Sequence, residues 1–402
     1  MNKKNFLEGI MAGIVLAMSV NILASFAIPA LTKAAPALGV SSSKEIGTGD
    51  KLNKIYNIID SHYVEDYSEI KLEDSMYGGL VSGLGDIYSS YMSAAEYTVF
   101  NEQSEGKYAG IGAVVTSTED ERVMVVSPYD GSPAANAGMM PKDIIMAVNG
   151  MDTRGAGLDT VVSMMKGEPG TSVNITLYRE SENRTFDVDI VRDTIIIPTV
   201  TQKMLDNNIG YIRLSGFERV TYKQFATALS ELKTEGAQGF VLDVRNNPGG
   251  LLDVVADICN LLVPQGNIVY TEDKNGEQQF LKSDKNYLDM PMTLLVNGNS
   301  ASASEVMAGA IKDHGVGVLV GEQTFGKGVV QNIYPLEDGS AVKVTIARFY
   351  SPNGVCIHGE GITPDHVVEM EPELSANVSS LTFEEDIQLQ KAAEIVLEMI
   401  NQ

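Results

Sequence analysis

The C-terminal half of the chain alternates apolar runs with segments that have apolar residues at helical spacing. Met292–Val296 is a continuous apolar run typical of a buried strand, and a turn of small residues follows it over Asn297–Ser302. Ser304–His314 then has the periodicity of a helix, and Val316–Val320 and Val329–Tyr334 are two further apolar runs. The pattern predicts a strand, a turn, a helix and a strand in succession, an arrangement that leaves functional groups at its turns.

The same alternation begins upstream, after residue 193. It predicts strands over Ile209–Leu214, Gly239–Val244 and Ala341–Tyr350 and a hairpin over 267–281. It predicts helices over Tyr222–Leu232 and Leu251–Val263, and a closing helix over Leu381–Ile400. Asn275 and Gly276 would form the turn of the hairpin. Strands joined by crossover helices predict a parallel or mixed sheet. We therefore expect an α/β core with βαβ units over residues 194–375 and a C-terminal helix within 376–402.

The first 43 residues have the pattern of a membrane segment. Lys3 and Lys4 precede residues 9–32, which carry no charge and are long enough to span a bilayer. This stretch exceeds the core of a usual signal peptide, although the small residues at 34–37 offer a cleavage site. We expect a single-pass anchor in the cell membrane with the remaining chain on the extracytoplasmic side, or a secreted protein if the segment is cleaved.

Two modules separate this segment from the α/β core. Residues 44–100 are helical in pattern, with Leu52, Ile55 and Ile59 at helical spacing, and we expect a packing element or a dimer arm there. Residues 101–193 contain short strands separated by turns and one helix over Leu158–Lys166, which predicts a small β-rich module. The predicted fold is a multidomain α/β protein with a membrane anchor, a helical arm, a β-rich domain and the core.

Composition and charge narrow the functional classes. The 402 residues have a formal net charge of −24 and no basic patch interleaved with aromatic residues, which argues against a nucleic-acid partner. Two cysteines and four histidines occur, no CxxC is present, and no two histidines have the spacing of metal ligands. We predict no metal site. A Ser-His-Asp triad assembled across the fold stays open, although no GxSxG motif supports it.

The small-residue turn carries three serines, Ser300, Ser302 and Ser304, and a lysine follows in a glycine-rich loop. A serine before a helix often caps the helix, but its hydroxyl becomes a nucleophile when a base lies nearby. Lys327 suits a base because its sequence neighbours are glycines and apolar residues, and burial lowers the pKa of a lysine. Gln331 lies four residues on, so in a strand it would share a face with Lys327 and orient it.

The lysine loop also fits a different chemistry. GEQTFGK over residues 321–327 matches the GxxxxGK pattern of a phosphate-binding loop and follows a predicted strand. Gly328 stands where that loop requires serine or threonine for magnesium, and the residues after it predict a strand in place of a helix. The pattern therefore argues against nucleotide binding.

A second glycine turn, Asn247–Gly250, follows the strand predicted over Gly239–Val244. Peptide hydrolysis develops negative charge on a carbonyl oxygen, which backbone amides aimed at that oxygen stabilise. Gly249 or Gly250 would allow the close approach, and the amide of Ala303 at the helix start would be the second donor. A plain turn explains the glycines equally well.

The order of motifs in the β-rich module resembles a PDZ domain. A turn reading YAGIGA over residues 108–113 precedes SPAANAGMMPKDIIMAVNG, a helix that ends in KGEPG, and a strand. In PDZ domains the amides of the glycine-rich turn bind a peptide's C-terminal carboxylate, and the peptide adds to the sheet edge as a strand. The resemblance implies that Gly110, Ile111, Gly112 and Ala113 bind the free C-terminus of a substrate.

The combined motifs resemble the C-terminal processing peptidases, also called tail-specific proteases. LDVRNNPGGLL, NGNSASASE and GEQTFGKGVVQ follow a PDZ-like module at the spacing of that family. The resemblance implies a layered core like that of crotonase or Clp protease, with Ser302 as nucleophile, Lys327 as base and Gln331 as the residue that orients the base. It also implies oxyanion amides from Ala303 and from a glycine of the NPGG turn, for which we take Gly249.

This resemblance implies a serine endopeptidase that recognises the C-terminal tails of protein substrates and cleaves them through an acyl-enzyme, without a metal or organic cofactor. It further implies a homodimer through the helical arms and a PDZ domain that gates the active site. The alternative is a membrane-anchored PDZ scaffold whose peptidase-like core is inactive.

Two positions depart from the pattern of the family. Residues 84–89 read LGDIYS where relatives commonly read LDPYS, a difference that we expect to affect the helical arm and not the catalytic residues. Lys166 stands where relatives often carry an arginine that couples peptide binding to activation. Lysine retains the charge but lacks the bidentate fork, so Lys166 is a candidate gating residue with altered coupling.

Overall fold

Residues 49–402 are the part of the chain that the computed structural model describes. The predicted membrane anchor, residues 1–43, lies outside this part. Within it, no helix combines the length and the apolar content that a membrane crossing requires.

The N-terminal region is helical, with one short strand. Its elements are α1 (Gly49–His62), α2 (Glu69–Ser82), β1 (Ser90–Met92) and α3 (Ala94–Glu105). Helix α1 buries none of its residues, whereas α3 begins with a capping box between Ser93 and Glu96 and ends at Gly106 in the left-handed conformation. The strand, which the helical pattern of residues 44–100 did not predict, joins this region to the core.

The β-rich module follows directly. Its elements are β2 (Lys107–Gly110), β3 (Ala113–Ser117), β4 (Val123–Pro128), α4 (Pro133–Asn136), β5 (Ile144–Val148), β6 (Met151–Asp152), α5 (Leu158–Met165), β7 (Ser172–Arg179), β8 (Arg184–Val191) and β9 (Asp193–Ile196). Strands β3, β4, β5, β7 and β8 form an antiparallel sheet in that order, and β2 pairs with β9. Alternate residues of β7 are buried, so one face of the sheet covers a separate apolar core.

The remaining chain forms the α/β core. Its elements are β10 (Val200–Leu205), β11 (Ile209–Leu214), α6 (Thr221–Thr234), β12 (Gly239–Asp243), α7 (Leu252–Asn260), β13 (Gly266–Asp273), β14 (Gln278–Ser283), β15 (Met292–Val296), α8 (Ala303–His314), β16 (Val318–Gly321), β17 (Val329–Pro335), β18 (Ala341–Tyr350), β19 (His366–Val367), α9 (Pro372–Ala376) and α10 (Ile387–Ile400). The multidomain α/β architecture predicted from the sequence is confirmed.

Two sheets build this core. One has the order β10-β11-β12-β15-β16-β19, and all its pairs are parallel except β10 with β11. Every residue of β12 and β15 is buried, as expected for central strands covered on both faces. The other sheet is antiparallel, with β18 pairing β1, β13 and β17 and with β14 beyond β13.

The layers place the turns after the central strands at one edge of the parallel sheet. Helix α10 packs its apolar face on one side of that sheet, and α6, α7 and α8 share a larger apolar core with the other side and with the antiparallel sheet. Parallel strands leave functional groups at their carboxyl ends. The turns after β12 and β15 therefore meet at the edge where the predicted catalytic residues lie.

Some element bounds differ from those predicted. Helix α10 begins at Ile387 and not at Leu381, because the side chain of Asp386 caps the helix by accepting the amide of Leu389. Strand β17 begins at Val329 as predicted, with Lys327 in the loop before it, and ends one residue later than predicted, at Pro335. Periodicity locates the apolar centre of an element better than its ends, which depend on caps and on tertiary contacts.

Candidate active site

The three serines of the predicted nucleophile turn have different environments. The hydroxyl of Ser300 donates to the carbonyl of Val244 at 2.8 Å, and that of Ser304 donates to the carbonyl of Asn247 at 2.9 Å. The hydroxyl of Ser302, at the N-cap of α8, donates a hydrogen bond to no group in the described part of the chain. Of the three serines, only Ser302, which is 4% exposed, therefore has a hydroxyl proton that is not donated to a carbonyl of the turns.

Ser302 also has an unusual backbone conformation. Its φ of 55° and ψ of −110° lie in a region that favours glycine, and such a conformation costs about 1–3 kcal/mol in other residues. The amide of Ser302 donates to the carboxylate of Glu305 at 2.8 Å, and its carbonyl accepts the amide of Glu305 at 2.8 Å. These two bonds stabilise the strained turn at the N-terminus of α8.

Glu305 joins the serine turn to the lysine loop. Its Oε2 accepts the amides of Ser302 and Lys327, each at 2.8 Å, and its Oε1 accepts the Thr324 hydroxyl at 2.6 Å and the Gly326 amide at 2.7 Å. The side chain is 1% exposed, and burial raises its pKa against the lowering effect of these four bonds. Sequence reasoning missed this residue, although the Ser-x-x-Glu spacing of a capping box was the available signal.

Lys327 is buried in the loop between β16 and β17. Its side chain is 8% exposed, and desolvation lowers the pKa of its amine from 10.5 to about 7. The positive charge of Lys343 lowers this pKa further, whereas the carboxylates of Asp86 and Glu305 raise it. The balance leaves a large neutral fraction near neutral pH, which is the form that accepts a proton.

The segment between α2 and β1 forms one wall of the lysine pocket. The amine of Lys327 lies 4.5 Å from the centre of the Tyr88 ring. Asp86 accepts hydrogen bonds from the hydroxyl of Ser89 at 2.5 Å and from the amide of Tyr88 at 3.1 Å. The expectation that the LGDIYS segment affects only the helical arm is wrong, because pairing of β1 with β18 brings it to the base.

Gln331 follows the lysine by four residues, and its side chain hydrogen-bonds to a different residue. Its amide nitrogen donates to the hydroxyl of Thr345 at 3.2 Å, and the side chain is 1% exposed. Within residues 49–402 no hydrogen bond joins it to Lys327. Lys327 and Gln331 do not share a strand face as expected, because β17 begins after Lys327 and its pairing with β18 is irregular between Val330 and Gln331.

The glycine turn after β12 lies against the serine turn. A Cβ atom at Gly249 would be 3.1 Å from the amide nitrogen of Ala303 and 2.9 Å from the carbonyl oxygen of Ala301, so only glycine fits. The amide of Ala303 is the first of α8, where no helical carbonyl is available to accept it. The amide of Gly249 donates to the side chain of Asn247 at 2.9 Å, so in this conformation it is already engaged.

A buried ionic network supports the strand that leads into this turn. Arg245 is fully buried and donates to Asp243 at 2.7 Å and to Asp386 at 2.7 Å. Asp243 also accepts the hydroxyl of Tyr211 at 2.7 Å. The network ties the end of β12 to the start of α10. Sequence reasoning did not identify it because Tyr211 and Asp386 lie far from Arg245 in the chain.

The glycine-rich turn of the β-rich module lies between β2 and β3. Ile111 is buried, and a Cβ atom at Gly112, whose φ is 79°, would be 2.5 Å from the Cβ of Ser132. A Cβ atom at Gly110 would be 3.8 Å from the Cα of Lys166, so the turn and the end of α5 are adjacent. The turn therefore has the close packing that glycines permit.

Lys166 connects this module to the N-terminal region. It follows the last residue of α5, and its amine pairs with the carboxylate of Glu102 in α3 at 2.5 Å. The amine also lies 5.4 Å from the centre of the Tyr108 ring, and burial raises the pKa of that tyrosine to about 12. The ion pair is half-exposed and links the edge of this glycine-rich turn to α3.

No cluster of three or more His, Cys, Asp or Glu side chains suited to a metal ion occurs among residues 49–402. Cys259 is buried and free, and burial raises the pKa of its thiol. Cys356 is also free. We assign neither cysteine to the site.

Three family models match the chain. The model of peptidase family S41 matches residues 208–368, that of the PDZ domain matches residues 109–190, and that of the activating protease CtpB N-terminal domain matches residues 30–96. The matched ranges follow one another along the chain. They correspond to the α/β core, the β-rich module and the N-terminal region.

Known proteins and a solved structure are similar to this chain over most of its length. The carboxy-terminal processing protease CtpA of Bacillus subtilis is 39% identical over 337 residues, which cover 82% of this chain and 72% of that protein. A CtpA-like serine protease of Staphylococcus epidermidis is 38% identical over 332 residues, which cover 82% of this chain and 67% of that protein. The solved structure of an S41 protease from Bacteroides fragilis, 16% identical, matches 84% of this chain and 100% of that chain with a TM-score of 0.51, which supports the fold alone.

Proposed function

The chain belongs to peptidase family S41 as a CtpA-like C-terminal processing serine protease with a PDZ domain, and from this premise we propose that Ser302 is its nucleophile and Lys327 its general base. The single observation that supports this choice is the free Ser302 hydroxyl, since Ser300 and Ser304 hold the turn with theirs. The similarity to proteases favours an active enzyme over the inactive scaffold.

The proposed reaction begins with a proton transfer. Neutral Lys327 takes the proton of the Ser302 hydroxyl as the oxygen attacks the peptide carbonyl carbon, and the charged lysine then protonates the leaving amine. Water, deprotonated by the same lysine, hydrolyses the acyl-enzyme and restores the serine. No hydrogen bond joins the two side chains in the described structure, and catalytic hydrogen bonds often shorten only when substrate binds.

The oxyanion donors are also proposals. The amide of Ala303 is free of helical partners and lies beside Gly249, so the two can converge on one oxygen. For Gly249 to donate, the side chain of Asn247 must release its amide. Gln331 would orient Lys327 after exchanging its bond with Thr345.

Substrate recognition by the PDZ domain follows from its glycine-rich turn. We infer that Gly110, Ile111, Gly112 and Ala113 bind the C-terminal carboxylate of an unfolded tail, which adds to the sheet edge. Lys166 lies beside this turn, so its pairing with Glu102 is a contact that a bound carboxylate would weaken. This competition supports Lys166 as a gating residue.

A groove beside the lysine pocket offers space for the substrate chain. Its volume is about 480 Å³, and it is lined in part by Tyr88, Val329, Thr345 and His358. A peptide bound there would pass close to Lys327, because Tyr88 borders both the groove and the lysine pocket. The groove thus supports cleavage of an extended chain.

We also propose that the protein is membrane-anchored through residues 9–32 and dimerises through its N-terminal arm. The uncharged stretch at 9–32 supports the anchor, with the protease on the extracytoplasmic side. The arm supports the dimer, because Ile58, Ile70 and Leu80 are exposed and α1 buries no residue.

The test is cleavage of an unstructured protein with an apolar C-terminus, together with labelling by a serine-reactive fluorophosphonate. Ser302→Ala and Lys327→Met should lose cleavage by about 10³-fold or more, and Ser302→Ala should lose the label. Lys285→Met, which removes an exposed lysine, is the matched control and should cleave normally. Normal cleavage by Ser302→Ala would refute the assignment. A substrate with an amidated C-terminus, cleaved as fast as the free acid, would refute carboxylate recognition.

A further inference from the structure

Lys343 is a buried lysine that the proposed mechanism does not use. It lies on β18 opposite Ser90 of β1 and Ile333 of β17, and it is 6% exposed. Its amine forms no ion pair with a carboxylate within residues 49–402. Burial lowers the pKa of this amine, and the charge of Asp86 opposes that effect. Lysines are rarely buried without a paired carboxylate, so the position of Lys343 needs another explanation.

The side chain of Lys343 projects from the face of the sheet that carries Gln331. Residues two apart on a strand share a face, which groups Lys343 with Thr345. Thr345 lies opposite Gln331 and accepts its hydrogen bond of 3.2 Å. Lys343 is thus on the side of the antiparallel sheet that faces the lysine pocket.

The charged and titratable groups around Lys327 come from four elements. They are Asp86 and Tyr88 before β1, Glu305 on α8, Lys343 on β18, and His358 after β18, whose ring lies against Tyr88. Burial raises the pKa of the Tyr88 phenol, so this side chain is neutral. Lys343 disfavours a charge on Lys327, whereas the carboxylates of Asp86 and Glu305 favour one.

We propose that Lys343 is a positioning residue for the base: its buried positive charge keeps Lys327 neutral, against the opposing charge of Asp86. The inference rests on the proposed role of Lys327. A protonated lysine cannot take the serine proton, and a neighbouring cation in a desolvated pocket is one way to keep a lysine neutral. Desolvation contributes most to the neutral state of Lys327, and Lys343 and Asp86 shift in opposite directions the pH at which the base becomes available.

Hydrogen bonds hold the carboxylate of Asp86 in place. Its carboxylate accepts the hydroxyl of Ser89, and the Ser89 hydroxyl accepts the amide of Thr345 at 3.0 Å. This chain of bonds runs from the arm segment to the strand that carries Lys343. The two opposing charges are therefore held on one hydrogen-bonded framework.

The test is the pH dependence of kcat/KM for the full-length chain and two variants. Because the active base is neutral, activity rises with pH through the pKa of Lys327, which is about 7. Lys343→Met removes the repulsion between Lys343 and protonated Lys327. The acidic limb of the pH profile should therefore move about one unit to higher pH, and kcat/KM on that limb should fall about tenfold. Asp86→Asn removes an attraction, so the limb should move to lower pH.

Two controls separate charge from structure. Lys343→Arg keeps the charge and should restore the parental limb, whereas Lys285→Met removes an exposed charge and should leave the limb unchanged. An unshifted limb in Lys343→Met overturns the proposal. Shifts of Lys343→Met and Asp86→Asn in the same direction also overturn it. An electrostatic effect follows the sign of the removed charge, whereas a general structural disturbance does not.

A second measurement does not need turnover. Acetylation of Lys327 by acetic anhydride, quantified by mass spectrometry across pH, reports its neutral fraction even in an inactive variant. The pH midpoint of Lys327 acetylation should shift upward in Lys343→Met and downward in Asp86→Asn. An equal midpoint in the parent and in Lys343→Met overturns the proposal. Retained cleavage by Lys327→Met is a different result: it refutes the proposed base, whereas the labelling curves still report the effect of Lys343.

Discussion

Ser302 donates its amide hydrogen to the carboxylate of Glu305 at 2.8 Å, and the same oxygen of Glu305 accepts the amide of Lys327 at 2.8 Å. The proposed nucleophile and the proposed base are thus held by one buried acceptor. Their backbones are therefore fixed relative to each other. Glu305 acts through these two residues and is a positioning residue.

Replacing this carboxylate should separate the two residues. Glu305→Gln keeps the shape but presents an NH2 group to amide donors, so at least one pair of bonds is lost. We expect kcat to fall about 100-fold with KM little changed, because small misplacements of reacting groups have effects of this size. Steady-state kinetics on a peptide substrate measures it. Glu337→Gln, at an exposed turn, is the control, and a change confined to KM would contradict the positioning role.

The strained conformation of Ser302 should be detectable in stability. Glycine adopts a φ of 55° readily, so Ser302→Gly should be more stable than Ser302→Ala by about 1–2 kcal/mol, although both are inactive. Chemical denaturation of the two variants under identical conditions measures the difference. Equal free energies of unfolding would show that the turn stores no strain.

The lowered pKa of Lys327 should make stability depend on pH. Between about pH 7 and 10.5 the unfolded chain binds a proton that the folded chain lacks, so the free energy of unfolding of the parent rises with pH over this window. Lys327→Met lacks this dependence. Near pH 7 it should be more stable than the parent by about 2 kcal/mol or more, and the difference should shrink toward pH 10.5.

Denaturation curves at several pH values test this dependence. Lys285→Met serves as the control, because it removes a lysine that is already exposed. A constant difference in stability between Lys327→Met and the parent across the window would contradict the lowered pKa.

The buried network around Arg245 should be important for folding. Arg245→Met leaves Asp243 and Asp386 buried without their partner, and the loss of one member of such a pair costs about 3–5 kcal/mol. Thermal denaturation should show a lower midpoint for the core transition. Arg184→Met removes an exposed arginine and should have little effect. An unchanged midpoint in Arg245→Met would mean that the two carboxylates find other partners.

Much of the core was predictable because its signals are local. The apolar run at 292–296 and the strand at 341–350 were predicted with the bounds that the structure has, since a buried strand needs continuous or alternating apolar residues whatever surrounds it. The start of α10 was predicted six residues early. The cap of Asp386 decides it, and this residue is held by Arg245 from a distant part of the chain.

The sequence by itself determined the order of the modules, the strand and helix pattern of the core, and the turns on which the reactive groups lie. Only the tertiary structure decided which serine is free, that Glu305 bonds both turns, and that Asp86 and Tyr88 reach the pocket of Lys327. The physical reason is that hydrophobic periodicity reports on neighbours in the chain. The charge and hydrogen bonding of a buried side chain depend instead on residues brought to it from other elements.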